Sequence, residues 1–156
     1  MALICFDTNF VIWGIKQEAS PGQEHCIKRA NYVIEQCEEN GDQIVVPALV
    51  VGEALCAIPE NERSDFVRFL PAQGCLIMPY DSKAAIHYAK MWSDRNGSGE
   101  FSREEMKTDY LIAAVALAND CRRPFARYEL VMPLRGRRKN GTGTYSGSKR
   151  LFQYGH

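Results

Sequence analysis

The sequence predicts an α/β domain with a largely parallel sheet. Three short apolar runs, residues 3–6, 44–46 and 75–78, read as buried strands. Longer segments with helical apolar spacing separate them, and parallel strands need connections of that length. At 156 residues and 46% apolar side chains the chain is long enough for one domain with a sizeable core.

Each element follows from local chemistry. Residues 3–6 are apolar and end at Asp7, the only charged side chain from Met1 to Ile15. Asp7 stands at the carboxyl end of its strand, the edge where open parallel sheets bind ligands. It equally suits the cap of a helix starting near Phe10. Ser20-Pro21-Gly22 makes a turn, and residues 23–39 form a helix with Ile27, Ala30, Val33, Ile34 and Cys37 on one face. Asn40-Gly41 stops that helix. Residues 44–46 give the second strand, and Pro47 opens a helix over 49–58.

Residues 59–64 are polar loop or helix start, and 66–70 a short amphipathic piece. The third strand, 75–78, closes at Pro79. Asp81 or Ser82 caps a helix to about 94, with Ala85, Tyr88, Ala89 and Trp92 on one face. Residues 95–100 read as a flexible loop. Ser102 and Glu105 form a capping box for a last helix reaching about 119.

Composition excludes several classes. No apolar run approaches the ~18 residues that span a bilayer. The first residues lack a basic leader region, so the expected location is the cytoplasm, with no membrane partner. Six cysteines are scattered without a C-x-x-C pair, which predicts reduced, mostly buried thiols and no zinc site. His25, His87 and His156 are isolated. Phosphate-loop, dinucleotide and nucleophile-elbow motifs are absent.

Three carboxylates stand out. Asp7 follows an apolar strand. Glu53 has Leu49, Val50, Cys56 and Ala57 one turn away on either side, and no other charge lies between Ile44 and Pro59. It is therefore expected to project from an apolar stripe. Asp109 has Met106, Ile112 and Ala113 around it, and residues 110–119 carry no charge. No lysine or arginine accompanies Asp7 or Glu53 locally. Convergence of all three on one hard divalent cation, Mg2+ or Mn2+, resolves the three desolvation costs together. Such a cation on an α/β scaffold points to phosphodiester hydrolysis without a histidine or cysteine nucleophile.

The same residues carry a family resemblance. Ile4-Cys5-Phe6-Asp7-Thr8-Asn9 resembles the opening of PIN domains. Val46-Pro47-Ala48-Leu49-Val50-Val51-Gly52-Glu53 is similar to their second acidic motif, and Lys107-Thr108-Asp109-Tyr110-Leu111-Ile112-Ala113-Ala114 to their third. Order, spacing and predicted elements agree over roughly residues 1–120. The resemblance implies a three-layer α/β/α fold with a mostly parallel central sheet. It implies a Mg2+- or Mn2+-dependent endoribonuclease acting on single-stranded or structured RNA. Asp7, Glu53 and Asp109 would be its catalytic metal ligands, supported by Thr8 and Asn9. It further implies a VapC-type toxin, held by a small antitoxin and forming a homodimer. The alternative is a catalytically weak PIN-like module that binds RNA or an antitoxin.

The pattern breaks near Cys121. Residues 1–121, the expected catalytic core, hold 18 acids and ten bases; residues 122–156 hold one acid, Glu129, and nine bases. The family's fourth aspartate has no counterpart after Asp120. The basic segment 122–156 is predicted to be disordered on composition, able to contact phosphates. A change of reading frame near Arg122 would produce the same break.

Overall fold

The computed structural model describes residues 1–94 and 103–121, and of 103–106 the backbone alone. Its strands are β1 (Leu3–Cys5), β2 (Gln43–Pro47) and β3 (Leu76–Met78), in the order β1-β2-β3 and all parallel. Leu3 pairs with Gln43 and Cys5 with Val45, while Val45 also pairs with Leu76 and Pro47 with Met78. The Phe6 amide extends the first ladder by donating to the Val45 carbonyl at 2.8 Å. All three carboxyl ends therefore lie along one edge. The central strand buries Ile44, Val45, Val46 and Pro47, the continuous apolar run expected of a strand covered on both faces.

Helices dominate the remainder: α1 (Thr8–Phe10), a π-helical turn (Val11–Ile15), α2 (Glu24–Asn40), α3 (Ala48–Cys56), α4 (Arg63–Ala72), α5 (Ser82–Ser93) and α6 (Arg103–Ala118). The class is thus the α/β one expected, with a small sheet. Boundaries move by a residue or two. Pro47 ends β2 and sits at the cap of α3, so it supplies fixed φ at the junction and not the first helical turn. The polar stretch after Pro59 is a 3-10 turn (Glu60–Glu62) that runs straight into α4. The loop at 95–100, the Ser102–Glu105 capping box, Glu129 and the basic segment 122–156 lie outside the described residues or side chains.

Two contacts fix the segment after β1. Gly14 in the π turn lies against α2 so closely that a Cβ there would stand 3.3 Å from Ala30 Cβ and 2.8 Å from Ile34 Cδ1. Gln17 then turns the chain with φ +57°, and its side-chain amide donates to the Trp13 and Gly14 carbonyls and to Asn31 on α2. The left-handed Gly41 ends α2, its amide returning to the Cys37 and Glu38 carbonyls.

The core joins Phe6, Phe10, Val11, Val45, Val46 and Val50 to Leu70, Ile112, Ala113 and Val115, all buried. Phe6 and Phe10 meet at 5.0 Å, and Trp92 of α5 meets Tyr110 of α6 edge-on at 5.9 Å. No helix among the described residues is long and apolar enough to cross a membrane.

All six cysteines are free thiols. Four are buried, as expected, but Cys56 is exposed, because α3 turns Val50, Val51 and Ala54 inward and Cys56 away. Burial pushes the thiols of Cys75 and Cys121 up to about 11, and that of Cys5 higher still, with Cys121 and Asp7 adding to the rise. A thiol raised on folding favours its protonated form. Its stabilising effect is complete below the ordinary value of 9.0 and is lost as pH climbs through the folded value. Urea midpoints are therefore expected to be level from about pH 7 to 8 and to fall between about 9 and 11. A level profile to pH 11 would show that these thiols ionise as freely in the folded chain as in the unfolded one.

Candidate active site

Three segments meet at the carboxyl edge of the sheet. Asp7, just beyond β1, caps α1: its Oδ1 accepts the Phe10 amide at 2.9 Å. That bond fixes the carboxylate's orientation. The two sequence readings of Asp7, helix cap and site residue, are therefore compatible in one side chain. Thr8 follows, and its hydroxyl donates to Oε2 of Glu53 on α3, joining positions 45 residues apart. Asp109 comes from α6, where the next turn buries Ile112 and Ala113.

These side chains line one cavity of about 240 Å³, together with Asn9, Thr108 and Ile112. Asp7, Thr8, Asn9, Thr108 and Asp109 are half-buried, and Ile112 is buried. All five residues expected at the site, Asp7, Thr8, Asn9, Glu53 and Asp109, are brought together. Asp7 follows β1 and Glu53 lies in the helix after β2, so the parallel sheet brings these two to one edge, while Asp109 is carried there by α6, which packs against α3 and β2.

Glu53 corrects one expectation. It does not emerge from an apolar stripe: Gly52, Glu53, Cys56 and Ala57 are exposed, and the buried stripe of α3 is Val50, Val51 and Ala54. The apolar letters around Glu53 hide this, because α3 is apolar nearly all round. A glutamate reaching water needs no cation for desolvation. What holds Glu53 toward the cavity is the Thr8 hydroxyl.

Thr108 and Ile112 also line the cavity and were not singled out as site residues. Ile112, one turn after Asp109, is legible from helical spacing. Thr108 is not, since adjacent helical residues point about 100° apart.

Among the described residues the lining carries three carboxylates and no lysine, arginine or histidine. Its donors are three carboxylates, two threonine hydroxyls and the Asn9 carboxamide, a hard oxygen-rich set of the kind that would suit Mg2+ or Mn2+ better than zinc or copper. Among the described residues, however, no group of three or more His, Cys, Asp or Glu side chains lies close enough together to hold an ion by itself. The carboxylates share a cavity without forming a closed ligand shell. Mg2+ suits such a setting, since it keeps several waters and takes only one or two protein carboxylates.

No protein-family model, no curated protein and no solved structure matches the chain.

Proposed function

We propose that this chain is a Mg2+- or Mn2+-dependent endoribonuclease with Asp7, Glu53 and Asp109 as its catalytic carboxylates. One observation carries the reading: three carboxylates far apart in sequence line a single cavity at the carboxyl edge of a parallel sheet. A hard divalent cation is the ligand that such a set of carboxylate oxygens would take.

When bound, a divalent cation supplies a polarised water and neutralises charge on the phosphodiester. The chain's own residues do the rest. Asp7 is aimed by the Phe10 amide, and Glu53 by the Thr8 hydroxyl. A carboxylate accepts the proton of the attacking water. Asn9 and Thr108 offer neutral hydrogen-bonding groups beside the reacting phosphate.

The reading carries with it the PIN-like three-layer architecture, a cytoplasmic location, a small antitoxin partner and a homodimer, as for a toxin of a toxin–antitoxin pair. The decisive experiment is metal removal and return. Cleavage of a mixed RNA pool is expected to vanish in chelator and to recover with Mg2+ or Mn2+. Cleavage that persists undiminished in chelator overturns the assignment.

A second reading, a PIN-like module that binds RNA or an antitoxin without turnover, is favoured by the absence of a closed ligand shell among the described residues. Mg2+ binding by calorimetry without cleavage of any RNA selects it.

A further inference from the structure

Glu53 is exposed on α3, and an exposed glutamate ordinarily moves among several rotamers. Here the Thr8 hydroxyl donates to Oε2 and holds the carboxylate against the cavity. The bond engages one carboxylate oxygen and leaves Oε1 outside it. Asp7 shows the same division, its Oδ1 accepting the Phe10 amide. Two of the three site carboxylates thus each commit one oxygen to the protein.

Hard cations differ in what they ask of a carboxylate. Ca2+ gathers about six to eight oxygens and readily takes both oxygens of one carboxylate. Mg2+ demands near-octahedral geometry and keeps several of its waters. The narrow bite of a two-oxygen clamp departs from octahedral angles, so single oxygens suit it better. An oxygen that already accepts a hydroxyl proton has given up part of its lone-pair density, which makes Oε2 a poor second arm. Oε1 remains a full ligand, and the Thr8 bond aims it. The open shell agrees with this, because among the described residues no cluster of three acids encloses an ion and water must complete the coordination.

We propose that Thr8 is a positioning residue that makes Glu53 a one-oxygen ligand and so biases the cavity toward Mg2+ over Ca2+. Resting on the divalent-cation part of the reading above, this role holds with or without turnover of RNA.

The test is calorimetric titration of the full chain with Mg2+ alone and with Ca2+ alone. Thr8→Val keeps the shape of the side chain without its hydroxyl. It is expected to weaken Mg2+ binding about fivefold, the scale of one hydrogen bond, and to leave Ca2+ binding as tight as before or tighter. Thr8→Ala removes the same hydroxyl with less bulk and should give the same shift. Thr8→Ser restores the wild-type ratio of the two affinities. In a Glu53→Ala background Thr8→Val should no longer move that ratio, because Thr8 acts through Glu53. A purely structural role weakens both ions alike, and that result, or an unchanged ratio in Thr8→Val, overturns the role of Thr8 while leaving the cation reading standing. Binding of neither ion by the wild-type chain overturns both.

Discussion

Asp7→Asn is expected to abolish metal-dependent RNA cleavage while leaving the fold as stable as before. The loss should be at least about a hundredfold in kcat, equivalent to about 2.7 kcal/mol of transition-state stabilisation. Asparagine removes the negative charge a hard cation needs but keeps an oxygen on the same atom framework. That oxygen still accepts the Phe10 amide, and asparagine caps helices as well as aspartate does. The substitution thus separates the two roles that Asp7 combines. Because the capping bond is kept, the melting temperature is expected to stay level. The measurements are a cleavage time course on RNA with Mg2+ and a thermal melt. Cleavage at the wild-type rate removes Asp7 from the machinery; a melt lowered by several degrees makes its main role structural.

Phe6→Ala is expected to have the largest effect on stability, about 3–5 kcal/mol. Phe6 is wholly buried, its ring lies 5.0 Å from that of Phe10, and its amide extends the ladder to β2. Truncation leaves a ring-sized void at the sheet's carboxyl edge. The surrounding β1, α1 and π turn cannot close over it, because Gly14 already packs directly on α2. Against a total stability of about 5–15 kcal/mol this consumes a large share, and the melting temperature should drop on the order of 10–20 °C. Ile86→Ala is the control. Ile86 is 71% exposed on α5, and its loss should change stability by no more than about 0.5 kcal/mol. Equal melts for the two variants would place Phe6 outside the core.

The sequence by itself determined the class and the elements. The apolar runs ending at Asp7, Pro47 and Pro79 mark three strands because a strand covered on both faces must be apolar throughout. Asn40-Gly41 and Asp81 mark helix ends because orphan backbone groups need a left-handed turn or a capping oxygen there. It also determined which carboxylates to watch, since a lone charge in an apolar segment is conspicuous without any structure. Glu53 shows where this stops. In a helix that is apolar nearly all round, letters do not say which side is buried, and tertiary packing turned Glu53 outward and Cys56 with it. The Thr8–Glu53 hydrogen bond joins residues 45 positions apart, a distance at which no local spacing constrains contact. Thr108 entered the cavity the same way, placed by how α6 lies across the sheet's carboxyl edge. The candidate site was therefore legible in Asp7, while the cavity that collects its companions was decided by parallel β1 and β2 bringing Asp7 and Glu53 to one edge and by the packing of α6 that adds Asp109.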